Sequence, residues 1–242
     1  MNAIQRAFHV LLSIGGGYLV TLIVPTMAMF AAWLPGGRER WFYVVARWWA
    51  YGVLFCCRVK MTIHREAEID WSKPMIVMSN HESQLDIPIL FIALKEKNVS
   101  FLTKHTVRNV PFFGWALRAA GFVFVDRTNP EKAKASIDRA VEQVRGGSSV
   151  VIFPEGTRSS GDEMLPFKKG GFVLAVKSGV QVIPVFLKGA KHLQPKEDFV
   201  PHPGTVDVRI GAPMDPSIHT METKDEFLAE VRAEIERLGS LP

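Results

Sequence analysis

The sequence predicts an α/β fold: a mixed sheet of about seven strands flanked by helices, preceded by an N-terminal membrane-associated helical segment. Two observations carry this expectation. Seven short β-rich runs recur between residues 59 and 210, with helical patterns between several of them. Alternation of that kind builds a sheet with helices packed on it. Ahead of these runs, Ala7 to Gly37 contains no Asp, Glu, Lys or Arg. The expected division is residues 1–58 for the N-terminal helices and 59–242 for the α/β domain.

The N-terminal run "AFHVLLSIGGGYLVTLIVPTMAMFAAWLPGG" has the length to span a bilayer as a helix, for which about 20 apolar residues suffice. Gly15-Gly16-Gly17 and Pro25 interrupt it, and proline removes a backbone donor and favours a kink or break. After Arg38, Glu39 and Arg40 comes a second apolar stretch, Trp41 to Cys57, carrying only Arg47. Trp33, Trp41, Trp48 and Trp49 suit a membrane–water interface. The apolar region is too long for a signal peptide and no clear small-x-small site ends it. The pattern favours membrane attachment and leaves open whether the segment is one spanning helix with an interfacial helix or a hairpin sunk in one leaflet, with Arg38 to Arg40 at its turn. The competing reading is a buried hairpin of a soluble protein. Cys56 and Cys57 are adjacent, a poor arrangement for bridging each other, so no disulfide framework is implied.

From Val59 onward the strands read "VKMTIH" (59–64), "MIVMS" (75–79), "VSFLT" (99–103), "FVFV" (122–125), "SVVIF" (149–153), "VQVIPVFL" (180–187) and "TVDVRI" (205–210). Pro184 within a strand-like run points to an edge or a bulge. The clearest helix starts at Asn129-Pro130, with Thr128 and Glu131 as a capping box and Gly146-Gly147 as its end. A second, amphipathic helix, "KDEFLAEVRAEIERLG", closes at Gly239.

"SNHESQLDIP", residues 79–88, joins a buried strand to a helix. His81 and Asp86 stand five apart, a poor spacing for two side chains on one straight helix. A turn followed by a helix start brings them together. Asp86 then holds one imidazole nitrogen and leaves the other as a general base near neutral pH. The alternative is plainer: His81 caps the helix and Asp86 balances its dipole. In "VVIFPEGTRSSG", residues 150–161, Gly156 lets backbone donors approach a ligand and Arg158 offers a fork for phosphate, unless the loop is an exposed turn with an ordinary ion pair. Lys104, Asp126 and Arg127 also follow strands. A net charge of +5 suggests an anionic partner, but no aromatic-interleaved basic run points to nucleic acid. No Walker loop, no G-x-S-x-G elbow, no G-x-G-x-x-G after the early strands and no metal-ligand spacing is present.

Together, "NHESQLD", "GFVFVDR", "FPEGTRS" and "VIPVFLKG" resemble the four motifs of the glycerolipid acyltransferases, in the order and spacing of the bacterial 1-acylglycerol-3-phosphate acyltransferases of the PlsC type. The resemblance covers roughly residues 59–215. It implies that His81 is the general base and Asp86 its orienting partner, with direct transfer and no acyl-enzyme. Lys104, Arg127 and Arg158 would hold the acceptor phosphate, and Glu155, Gly156 and Thr157 would shape that pocket. Val182, Ile183 and Pro184 would pack near the acyl donor. It further implies no bound cofactor and no metal, with acyl-CoA or acyl-carrier protein as co-substrate. Lysophosphatidic acid would be the acceptor, membrane lipids would be partners, and the location would be the cytoplasmic face of a bacterial inner membrane. Another lysolipid acceptor (lyso-ornithine lipid or a lysophospholipid) and a non-catalytic phosphatidic-acid-binding module are the competing implications.

Overall fold

A computed structural model of the chain describes residues 3–31, 38–110, 113–126, 129–161 and 163–242. All seven expected strands are present: β1 (Val59–Arg65), β2 (Ile76–Ser79), β3 (Val99–Lys104), β4 (Val123–Val125), β5 (Ser149–Ile152), β6 (Val182–Lys188) and β7 (Gly204–Ile210). They form one sheet in the order β1-β7-β6-β2-β5-β3-β4. Every neighbouring pair is parallel except β6 and β7. The described helices are α1 (Ala3–Val10), α2 (Gly17–Ala31), α3 (Arg38–Cys56), α4 (Asp86–Ala93), α5 (Phe113–Ala119), α6 (Pro130–Arg145), α7 (Gly170–Ser178), α8 (Ala190–Leu193) and α9 (Lys224–Ser240).

Alternation along the strands sorts the core into two layers. Met75 and Val77 join Tyr43, Ala50 and Leu54 of α3 and Ile89 and Leu90 of α4 on one face. Ile76 and Met78 join Ile137 and Val141 of α6, Phe172 of α7 and Phe227 and Val231 of α9 on the other. Helix α3 is therefore a core helix of the α/β fold: Tyr43, Ala46, Ala50, Val53, Leu54 and Cys57 lie in the same apolar cluster as the strands. Arg47 Nη2 bonds Asn98 Oδ1 at 2.9 Å. The boundary drawn at residue 58 cuts through this packed unit. Burial pushes the Cys57 thiol up to about 12, with a smaller push from Cys56.

The N-terminal glycines and proline do not break the first helix. Leu11–Gly16 widens into a π turn between α1 and α2, and α2 runs through Pro25. Helices α2 and α3 then pack antiparallel, as three contacts show. A Cβ on Gly16 would lie 2.9 Å from Cys56 Sγ, and one on Gly52 3.0 Å from Val20. Trp49 Nε1 donates to Thr21 Oγ1 at 3.1 Å. Trp49 thus faces inward while Trp48 is 72% exposed, so these two tryptophans of α3 do not share one face. Trp33 and the turn at 32–37 lie outside the described residues. The run Ile4–Val24 is long and apolar enough to cross a membrane, and 11% of it is buried.

Two caps differ from the sequence expectation. Asn129, not Thr128, caps α6: its Oδ1 accepts from Glu131 N at 2.7 Å and from Lys132 N at 3.4 Å. Pro130 has no N–H, so the first donors fall within reach of the residue directly before it. Thr128 itself lies outside the described residues. Helix α9 continues through Gly239, where a Cβ would meet the Phe186 ring at 2.8 Å, so this glycine serves close packing. Pro184 sits inside a strand paired on both sides, at a bulge. The β6–β7 register runs Val185 to Ile210, whereas Val182 pairs with Met214, a slip of one residue. The missing proline donor falls at that slip.

Candidate active site

The parallel strands β2, β3, β4, β5 and β6 all end at one edge of the sheet, and in α/β sheets that edge is where sites form. The loops leaving β2 and β5 there carry His81 and Arg158 respectively.

The turn after β2 brings His81 and Asp86 together. Leu85 is the helix cap and Asp86 opens α4, fully buried. Asp86 Oδ2 accepts from Glu82 N at 2.8 Å, Ser83 N at 2.9 Å and His81 Nδ1 at 2.8 Å. A carboxylate oxygen that already receives two backbone N–H groups acts as acceptor, so the proton in the histidine bond sits on Nδ1. That leaves Nε2 with a lone pair. The ring lies flat on Phe153, with centroids 4.0 Å apart and planes 14° apart, and the His81 side chain is 18% exposed. The imidazole is thus fixed in tautomer and plane, with access to a reactant. This is a base–orienter arrangement. His81 does not cap α4, which has no side-chain cap at Leu85, and the donors that Asp86 gathers belong to the turn before the helix.

The backbone of His81 is clasped by the loop after β5. Glu155 Oε1 accepts from His81 N at 2.8 Å and its Oε2 from Leu165 N at 2.8 Å. Ser159 N donates to His81 O at 2.8 Å. Glu155 is 1% exposed, so both oxygens serve the backbone. Burial is the main influence on its carboxyl and raises its pKa above the usual range. Asn80, fully buried, extends the β2–β6 ladder with its amide, accepting from Leu187 N at 2.8 Å and donating to Leu187 O at 3.3 Å. Gly156 takes φ +75° and its N–H closes a turn on Phe153 O at 2.9 Å. That conformation favours glycine. Thr157 is exposed.

Arg158 is half-buried, and its Nη1 is buried with no protein acceptor. A buried guanidinium nitrogen without a partner is costly unless an anion supplies the acceptor. Lys104 ends β3 at the same sheet edge and is exposed. Arg127 lies outside the described residues. Among the described residues no group of three or more His, Cys, Asp or Glu is arranged to hold a metal.

The model of the family described as Acyltransferase matches residues 60–188, just over half of the chain. The chain belongs to this acyltransferase family. It is 32% identical over 215 residues to a 1-acyl-sn-glycerol-3-phosphate acyltransferase of Pseudomonas aeruginosa, covering 87% of this chain and 80% of that one. It is also 32% identical over 213 residues to a chloroplastic 1-acyl-sn-glycerol-3-phosphate acyltransferase of Arabidopsis thaliana, covering 86% of this chain. The match spans 58% of that plant protein's length. The crystal structure of the 1-acyl-sn-glycerophosphate (LPA) acyltransferase PlsC from Thermotoga maritima superposes with a TM-score of 0.80 at 26% identity, covering 98% of this chain and 99% of that one.

This acyltransferase also holds an apolar cavity of about 210 Å³ between the N-terminal hairpin and the sheet, and His81 does not line it. Val24, Phe42, Trp49, Ile87, Phe101 and Leu117 are among its lining residues. Ile87 follows Asp86 in sequence, and Phe101 meets Phe153, the stacking partner of His81, at 6.1 Å. Val182, Ile183 and Pro184 are buried in β6 and do not line this cavity. Asn80, Phe153 and Ser159 stand inside the quoted motifs, but nothing in sequence assigned them a role. Their contacts across the sheet show what each one does.

Proposed function

We propose that this acyltransferase is a 1-acylglycerol-3-phosphate O-acyltransferase. It moves a fatty acyl group from an acyl thioester to the free sn-2 hydroxyl of lysophosphatidic acid, giving phosphatidic acid for phospholipid biosynthesis. The observation that carries this reading is the 2.8 Å bond between His81 Nδ1 and Asp86 Oδ2, which leaves Nε2 free at the sheet edge. Nε2 takes the hydroxyl proton as the oxygen bonds to the thioester carbon. Asp86 supports the imidazolium. The C–S bond breaks, and the departing thiolate takes the proton back from Nε2. Positioning the two reactants supplies a large share of the acceleration, and the base typically contributes ~10²–10⁴-fold.

The orphaned Arg158 Nη1 supports a phosphate ligand at this edge, with Lys104 and Arg127 as further cations. The apolar cavity suits an acyl chain, and acyl-CoA or an acyl-carrier protein is the donor. The exposed apolar residues of α1, α2 and the π turn between them, Phe8, Leu11, Leu19 and Leu22 among them, suit a bilayer surface. Attachment at the cytoplasmic face of a bacterial inner membrane fits a lipid acceptor.

Acceptors with and without a free phosphomonoester test the assignment. Arg158→Ala should lower turnover of lysophosphatidic acid roughly 10–100-fold, the loss of a charged hydrogen bond of about 1.5–3 kcal/mol. It should leave lysophosphatidylcholine turnover, however low, unchanged. Equal losses on both acceptors would remove the phosphate role.

A further inference from the structure

Among the described residues, the most exposed large apolar side chain of the α/β domain is Phe199, at 84%. It does not lie on a loose tail. Five contacts close the loop from Gln194 to Pro203 around it. Gln194 Nε2 donates to Phe199 O at 3.4 Å, and Asp198 N donates to Pro195 O at 3.0 Å. Asp198 accepts from Val200 N at 2.9 Å and from His202 Nε2 at 2.9 Å. His202 N returns to Leu193 O at 2.6 Å. The loop therefore holds an aromatic ring out into solvent, where leaving it exposed forgoes the gain of burial.

One contact says what surface the ring shares. His9 of α1 is 3% exposed and its Nε2 bonds Pro201 O at 2.6 Å. The loop is thus pinned to the N-terminal helix, beside the apolar side chains Ile4 (81% exposed) and Phe8 (62% exposed). Arg6, one turn before His9, is exposed, while Lys196, Glu197 and Asp198 precede Phe199 in the loop. Phe199 thus extends the exposed apolar surface of α1, and a continuous apolar surface of this kind suits the interface of a bilayer. Ile218 is nearly as exposed, at 78%, but its segment packs with α7 on the opposite face of the sheet.

We propose that the Gln194–Pro203 loop is a second membrane contact, with Phe199 inserting into the headgroup region of a bilayer beside α1. The inference rests on the membrane-bound reading above and adds to it that the α/β domain itself enters the bilayer surface. It fixes the domain's orientation through two separate points rather than the helical hairpin alone.

The full chain tests this with a single introduced cysteine at Phe199, Phe8 or Ile218, each carrying an NBD probe. Cys56 and Cys57 are buried and spare the labelling. On vesicles of phosphatidylglycerol and phosphatidylethanolamine, the probes at 199 and 8 should shift to the blue and be quenched by doxyl lipids, and the probe at 218 should do neither. A shift at 8 without one at 199 overturns the loop contact and leaves membrane binding standing. A shift at 218 equal to that at 199 overturns the orientation. No shift anywhere, with no vesicle co-sedimentation, removes the membrane-bound reading and the loop contact with it. Independently, Phe199→Ala should lower vesicle partition about tenfold and leave turnover of a detergent-dispersed acceptor unchanged. Loss of that turnover would assign Phe199 to the fold or the site and overturn the proposal.

Discussion

Three donors converge on Asp86 Oδ2, and the loop of Glu155 and Ser159 holds the histidine backbone from its other side. His81 is thereby fixed at both its ring and its main chain. The awkward five-residue spacing is the sign of this turn, so the pair was legible in sequence. Glu155 was not. A charge in a glycine-containing loop suggests a ligand contact, and only the fold reveals that its oxygens reach a backbone 74 residues away. Next to His81, burial foremost and then the Asp86 charge push the Glu82 carboxyl up to about 7, against hydrogen bonds from Asn80 and Lys191. The native state then binds this proton more tightly than the unfolded chain. Stability attached to Glu82 is present at low pH and lost as pH rises from its ordinary value near 4.5 through about 7. Glu82→Gln should remove that loss. Thermal melts should place the variant above wild type at pH 8 by roughly 2–4 °C, about 1 kcal/mol after discounting for solvent screening, with the gap closing near pH 5. A gap that is the same at both pH values would contradict this.

At the scale of elements, the strands were the most legible part, because β-branched runs between polar turns have few other uses. Helix α3 was the least legible. Its residues "RERWFYVVARWWAYGVLFC" are apolar almost all round: one side enters the sheet's core, another meets α2, and Trp48, Tyr51 and Phe55 stay exposed. No period separates a helix covered by protein on two sides from one covered by lipid. The crossing with α2 depends on Gly52, where an added Cβ already stands 3.0 Å from Val20. Gly52→Leu should overpack this contact at a cost of about 1–3 kcal/mol. Because α2 and α3 both line the apolar cavity, its lysophosphatidic acid turnover should fall as well. Denaturant titration and turnover together check this, and an unchanged midpoint would show that the hairpin is not closely packed there.

For the whole molecule, the shared core implies that the N-terminal segment is not one detachable piece. A chain beginning at Arg38 keeps α3 and should retain a cooperative melt while losing most of its vesicle binding. A chain beginning at Arg58 lacks the buried side chains of α3 and should melt without a cooperative transition. Circular dichroism melts and vesicle flotation of the two truncations separate these outcomes. A cooperative melt from the shorter chain would show that α3 is dispensable to the core. The composition signalled a greasy N-terminus, but the physical division falls within it, between the lipid-suited face of α1 and α2 and the core-facing side of α3.

The central claim is that His81 Nε2 takes the acceptor's proton during direct acyl transfer. Purified wild type and His81→Ala should be compared for thiol release from acyl-CoA with lysophosphatidic acid present, with the lipid product weighed by mass spectrometry. The account predicts phosphatidic acid formation by wild type and a loss of about 10²–10⁴-fold in the variant, with an unchanged circular dichroism spectrum. Phosphatidic acid formation by His81→Ala at the wild-type rate would contradict it.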